Sequence, residues 1–289
     1  MWTGTFPALS TPFSRGKVDE EALRRLVRHV LDRGVEGVVA CGTTGEAPTL
    51  TLEEWSQVVK VCVEESRHLP VIAGTGTNNT QSTVSRTRLA RELGARAALV
   101  VAPYYNKPTQ RGLIAHFTAV AADGGLPVIL YNIPGRTGVN MTPETIGALS
   151  RVPGIVGVKE AAGSMDQVGA ILECAADGFA VLSGDDSLCL PMYALGGHGV
   201  ISTTATAAPE LMGGMYRAFR DGRVEEARKL HYRLLPLFRA LFAETNPAPL
   251  KYALSKMGFG ANDLRLPLVP VTEATERMID KALASCGLL

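Results

Sequence analysis

Apolar residues in this chain come in two rhythms. Short all-apolar runs, such as Ala97-Ala-Leu-Val-Val101 and Val128-Ile-Leu-Tyr131, alternate with longer stretches in which apolar residues recur at helical spacing. A run that is apolar on both faces reads as a strand covered on both sides, as in a parallel sheet with helices outside. The runs predict strands over 8–12, 37–41, 71–74, 97–101, 128–131, 155–158, 180–183 and 199–202. Between Asp19 and Gly34 a helix is predicted, with Asp19 as N-cap and Gly34 as stop; Leu23, Leu26, Val27, Val30 and Leu31 share one face. Thr51-Leu-Glu-Glu54 is a capping box that opens a helix to about Arg67. Further helices are predicted over 80–93, 110–122, 142–150, 164–176, 187–194 and 209–220.

Eight strand–helix units at intervals of roughly 25 to 35 residues indicate a parallel sheet of βαβ units. A closed barrel and an open doubly wound sheet both fit that pattern, and the count of eight favours the barrel. No GxGxxG follows the first strand, which weakens a dinucleotide-binding reading. From Val224 the rhythm turns wholly helical: Ala227, Leu230, Leu234, Leu237 and Leu241 recur at helical spacing, Pro236 suggests a kink, and two helices follow over 249–257 and 272–284. The predicted fold is therefore α/β, a (β/α)8 TIM barrel over residues 1–223 that carries the active site, with a C-terminal helical domain over 224–289.

Composition narrows the function. The 289 residues carry a formal net charge of +1, which gives no reason to expect nucleic acid or an anionic membrane as partner. No run of about 18 apolar residues could span a membrane. The five cysteines show no CxxC and no metal spacing, and their odd number cannot pair fully within one chain. With no signal-peptide pattern at Met1-Trp-Thr-Gly-Thr-Phe6, they are expected to be free thiols in a reducing cytoplasm.

Barrel chemistry gathers at the strand C-termini. Thr43, Thr44 and Glu46 follow the second strand, Tyr104 and Tyr105 the fourth. Tyr131 ends the fifth, with Arg136 in the loop beyond; Lys159 ends the sixth; Gly184, Asp185 and Asp186 follow the seventh; the eighth carries Ile201 and Ser202. Each has a plain structural alternative: Lys159 snorkelling to the rim or pairing with Glu160, Tyr131 as core, Asp185 and Asp186 as a helix N-cap pair, His198 as turn chemistry. Together, one lysine on a rim with several hydroxyls and one arginine is the set an imine-forming aldolase or lyase needs. Desolvation favours a neutral, nucleophilic amine, and Arg supplies a fork for a carboxylate.

The motifs GTTGE (42–46), GTGTNNT (74–80), PYYNKP (103–108), YNIPGRTG (131–138), GVKEAAG (157–163), LSGDD (182–186), GGHGVIS (196–202) and NPAPLK (246–251) occur in one order along the chain. In them the sequence resembles the dihydrodipicolinate synthase family, part of the pyruvate-dependent class I aldolases that include N-acetylneuraminate lyase. The resemblance implies a lysine Schiff-base condensation of pyruvate with L-aspartate 4-semialdehyde, giving 4-hydroxy-tetrahydrodipicolinate on the diaminopimelate route to lysine. It assigns the imine to Lys159 and a proton relay to Tyr131, Thr43 and Tyr105, with Tyr105 reaching in from a neighbouring subunit of a homotetramer. It gives Thr43 and Thr44 the pyruvate carboxylate, Arg136 the carboxylate of the second substrate, and Gly184 and Ile201 backbone positions of the substrate pocket. It calls for no metal or organic cofactor. A sister sugar-acid aldolase and a non-catalytic pyruvate-binding barrel are the rival readings. Lysine-inhibited members carry polar residues at the positions of Leu52, Trp55 and Ser82, so weak or absent feedback by lysine is expected, although Asn78 and Tyr104 are retained.

Overall fold

The computed structural model describes residues 2–289. Its eight parallel strands are β1 (Gly4–Pro7), β2 (Val38–Ala40), β3 (Val71–Gly74), β4 (Ala97–Val101), β5 (Val128–Asn132), β6 (Ile155–Glu160), β7 (Ala180–Ser183) and β8 (Gly199–Ser202). From β2 to β8 each pairs with the next, and β1 pairs with β8 in the register Phe6 to Ile201. The ring closes where Ala8 bridges to Val39 and the Leu9 N–H donates to the Val39 carbonyl at 2.9 Å. The chain is thus a closed (β/α)8 barrel.

Eight helices surround it: α1 (Glu20–Leu31), α2 (Leu52–Glu65), α3 (Thr80–Glu92), α4 (Gln110–Gly124), α5 (Pro143–Leu149), α6 (Met165–Cys174), α7 (Cys189–Ala194) and α8 (Pro209–Arg220). The caps are those the sequence signals. Asp19 accepts from the Ala22 N–H at 3.0 Å, and Thr51 and Glu54 close a reciprocal capping box. Beyond the barrel come α9 (Val224–Leu241), which continues past Pro236, then α10 (Ala248–Lys256) and α11 (Glu273–Cys286). α9 packs along α8, and α11 along α9.

Side-chain alternation on the strands makes two cores. Phe6, Val39, Ile72, Leu99, Ile129, Leu182 and Ile201 fill the barrel interior, and a larger cluster lies between the strands and the helices. Two predictions are corrected. The first strand lies at Gly4–Pro7, not at 8–12, because its partner β8 lines up with the earlier residues; Ala8 and Leu9 cross to β2 instead. The helix predicted over 187–194 is a 3₁₀ turn, Asp186–Leu188, followed by α7, since Pro191 has no N–H to return to the Ser187 carbonyl.

Candidate active site

Lys159 lies inside β6, which runs two residues further than its apolar run predicts, and is 6% exposed. It is in register with Tyr131 on β5 and Leu182 on β7. Its Nζ stands 4.5 Å from the centroid of the Tyr131 ring. Glu160, the next residue, points to the opposite face of the sheet and accepts from the Asn132 amide and the Ala162 N–H, so a Lys159–Glu160 pair does not form. Burial pushes the Glu160 carboxyl upward from its ordinary pKa.

Space around the lysine is made by Gly184, whose N–H is fixed by donation to the Glu160 carbonyl at 2.7 Å. Ile201 is fully buried in the barrel's inner layer, in the same cluster as Tyr131. Above them the loop after β2 begins with a left-handed bend at Cys41 (φ 54°) and ends with another at Glu46 (φ 51°), costly conformations that persist only where their surroundings hold them. Here Thr11 donates to the Gly45 carbonyl at 2.7 Å, and Glu46 forms a buried ion pair with Lys251 of α10. The loop sets a half-buried Thr43 and a buried Thr44 over the barrel mouth.

Asn246, just before α10, ties the two arms of the mouth together. Its amide donates to the Thr44 hydroxyl at 3.0 Å, and its carbonyl accepts from Arg136 at 3.2 Å. The Thr44 proton is thereby left for another acceptor, either the Thr203 hydroxyl at 3.4 Å or a bound carboxylate. Arg136 lies on a one-turn helix, Pro134–Thr137, where the sequence predicted only a loop; Pro134 opens it, and the Gly138 N–H returns to its carbonyl.

These residues line one continuous cleft. Its inner part reaches Lys159, Thr43, Thr44, Gly184, Arg136 and Asn246; its outer part leaves Thr43, Tyr131 and Arg136 toward Tyr104 and Arg86. A carboxylate lying between the threonine hydroxyls and the arginine would have an α-carbon within reach of a buried amine beside a phenol. Asn246, Thr203 and Arg86 were not singled out from the sequence, although the NPAPLK motif contains the first.

Tyr105 is expected to serve a neighbouring cleft, and two other candidates, Asp186 and Glu46, behave differently from their prediction. Tyr105 is 88% exposed with a left-handed backbone (φ 72°) and does not line the cleft of its own chain. Asp185 is an N-cap, accepting from the Ser187 N–H at 3.1 Å, but Asp186 is not: it is buried, accepts from the Thr204 N–H at 2.7 Å, and its pKa is pushed up by burial. Glu46 is structural. His198 accepts from the Val181 N–H of β7 at 3.1 Å, a structural contact to the neighbouring strand rather than within its own turn. Among the described residues no group of three His, Cys, Asp or Glu side chains is placed to hold a metal ion.

A model of the dihydrodipicolinate synthetase family matches residues 1–285. The chain belongs to that family. A 4-hydroxy-tetrahydrodipicolinate synthase of Maridesulfovibrio salexigens is 49% identical, over 99% of each chain. The crystal structure of the Thermotoga maritima dihydrodipicolinate synthase superposes with a TM-score of 0.98 at 42% identity, covering 100% of both chains. That of the Acinetobacter baumannii dihydrodipicolinate synthase complexed with pyruvate does so at 0.97 and 40% identity, again over 100% of both.

Proposed function

We infer that this chain is a 4-hydroxy-tetrahydrodipicolinate-forming lyase, condensing pyruvate with L-aspartate 4-semialdehyde on the diaminopimelate route to lysine. The observation that carries this reading is Lys159: buried on the inner face of β6, against the Tyr131 ring, beneath a cleft lined by Thr43, Thr44 and Arg136.

The Lys159 amine adds to C2 of pyruvate and water leaves, giving a protonated imine. That imine is an electron sink, so a methyl proton departs and an enamine forms. The enamine carbon attacks the aldehyde, whose oxygen takes a proton. The amine of the second substrate then replaces Lys159 at C2 as the ring closes, and the enzyme amine is freed. Tyr131 beside Nζ is the group to give a proton to the oxygen that leaves C2 as water and to take or return protons during the enamine steps, with Thr43 and a partner subunit's tyrosine extending the relay. Thr43 and Thr44 hold the pyruvate carboxylate, and Arg136 the carboxylate of the semialdehyde. Gly184 and Ile201 shape the floor.

Tyr105 stands clear of its own cleft, so the working unit is a dimer at least, and a tetramer of paired dimers in the reading offered here. Among the described residues no helix is long and apolar enough to cross a membrane, and all five cysteines are unpaired, which suits a cytoplasmic enzyme.

The test is a coupled assay with both substrates on wild type and Lys159→Ala, together with borohydride reduction in the presence of pyruvate and peptide mass spectrometry. Turnover and a pyruvyl adduct on Lys159 are expected in wild type, and neither in the variant. Turnover of sugar acids with none of the semialdehyde would transfer the chain to a sister activity.

A further inference from the structure

Strand alternation fixes what stands behind Tyr131 and Lys159. These two side chains point into the barrel, so Asn132 and Glu160, the next residues on the same strands and themselves in register, point outward. Both are buried, at 0% and 2% exposed. β5 ends at Asn132 and β6 at Glu160, and past them the Ala161 N–H makes a last main-chain bond to the Asn132 carbonyl at 2.9 Å. Side chains then take over. Asn132 Nδ2 donates to Glu160 Oε2 at 3.0 Å and lies 3.3 Å from Oε1, while the Ala162 N–H donates to Oε1 at 2.7 Å.

The Asn132 amide is itself fixed. Its Oδ1 accepts from the Met141 N–H at 3.0 Å, and its Nδ2 also donates to Asn140 Oδ1 at 2.8 Å. Asn140 and Gln167 exchange bonds at 2.8 and 3.1 Å. The polarity is specific: the Asn132 amide and the Ala162 N–H both present donors to the carboxyl, and an ionised carboxylate is acceptor only. A glutamine there would meet one donor with another.

We propose that the Asn132–Glu160 side-chain rung is the positioning device of the reaction, holding the ends of β5 and β6 so that Tyr131 and Lys159 stand side by side at the cleft. This rests on the reading of Lys159 as the imine-forming amine and Tyr131 as its proton carrier. Asn132 and Glu160 touch no substrate; each acts through the residue before it on its strand. The leverage is large, because a displacement of about 1 Å at reacting atoms costs on the order of 100-fold in rate.

The experiment uses Glu160→Gln, Asn132→Asp and the double variant in the full-length protein. In the double variant an acceptor at 132 faces a donor at 160, and the Asn140 and Gln167 amides can turn over together to match. The readouts are the single-turnover rate of borohydride-trapped pyruvate on Lys159, kcat and KM, and the melting temperature. Each single variant should lose about 10- to 100-fold in trapping rate and kcat, with the pyruvate KM within about threefold, and the double should recover about tenfold over the slower single. Wild-type trapping rates in the singles would overturn the proposal, as would a double no faster than the slower single. Should neither single fold, Asn140→Ala decides: it removes one acceptor of the Asn132 amide from an exposed position. Slowed trapping at an unmoved melting temperature supports the proposal, and unchanged trapping overturns it. Variants as fast as a wild type labelled on Lys159 remove the positioning role and leave the imine reading intact. An unlabelled wild type removes both.

Discussion

A β-carbon built on Gly184 would stand 2.9 Å from Lys159 Cε and 2.8 Å from Ala161 Cβ, closer than such carbons approach, and 3.0 Å from Lys159 Cγ. The glycine cannot retreat, because its N–H is bonded to the Glu160 carbonyl. Its backbone is not left-handed, so space rather than conformation demands glycine here. Gly184→Ala should therefore drive the lysine methylenes from their place. The expected outcome is a fall in kcat of about 100-fold, with overpacking costing about 1–3 kcal/mol of stability. Steady-state kinetics beside chemical denaturation check it. A Gly184→Ala enzyme with wild-type kcat would mean that the lysine position is not set from this side.

Tyr105 offers a test of subunit sharing. If it serves a neighbouring cleft, Tyr105→Phe and Lys159→Ala chains are each inactive but complementary. A mixed dimer holds one cleft with both residues intact. Random reassociation of equal amounts should restore roughly a quarter of wild-type activity, since half the dimers are mixed and each has one working cleft of two. Activity that stays at the level of the separate variants after confirmed exchange would place the tyrosine outside the relay.

The parts of the site that a single strand carries were legible in the sequence; the parts assembled across the chain were not. Lys159 and Tyr131 end apolar runs, so their strands and their shared rim could be read directly. The first strand was misplaced because Gly4-Thr-Phe-Pro7 has little apolar signal of its own and is defined by pairing with β8. Asn246 meets Thr44 across 202 residues, and although it opens the NPAPLK motif, nothing local tells that it reaches the threonine. Asp186 looked like a cap because it follows one; only the approach of the Thr204 N–H from the turn after β8 separates the two aspartates. Leaving Lys159 and Glu160 as possible partners overlooked the alternation that sends them to opposite faces.

Glu46 and Lys251 form an ion pair in which both side chains are almost wholly buried, at 0% and 2% exposed. Lys251 also donates to the Asp263 carbonyl at 2.7 Å and lies 3.9 Å above the Phe13 ring. The pair fastens the loop bearing Thr43 and Thr44 to α10. Removing one partner leaves an unpaired buried charge, so Lys251→Met should cost about 3–5 kcal/mol, whereas Glu46→Gln with Lys251→Met should recover much of it. Urea denaturation measures the cycle. A double variant no more stable than Lys251→Met would mean that the charge pairing itself is not what matters.

Trp55 bears on regulation. It is 1% exposed, and its indole N–H is committed to the Gly74 carbonyl at 3.1 Å. It therefore has no donor or charge to offer an amino-acid effector, and Leu52, 49% exposed, has none either. Lysine at millimolar concentration should leave the initial rate within about twofold of the uninhibited value, as expected where these two positions offer the ligand no polar group. Strong inhibition at sub-millimolar lysine would show that other groups recognise it.

His116 sets an acid limit on stability. It is buried on α4, its Nδ1 is 2.9 Å from the Thr80 hydroxyl, and burial pushes its pKa down to about 4. An unfolded histidine titrates near 6.5, so between about pH 6.5 and pH 4 the unfolded chain binds a proton that the folded chain refuses. The sign follows: this contribution is complete above pH 6.5 and is lost as the pH falls. Glu160 and Asp186, pushed up by burial, act in the opposite sense, so the effect must be read as a difference. His116→Asn keeps an acceptor for the Thr80 hydroxyl and cannot titrate. The stability of wild type relative to that variant should shrink steadily from pH 7.5 to pH 5 in urea denaturation. A pH-independent difference would show that the imidazole titrates in the fold as it does in the unfolded chain.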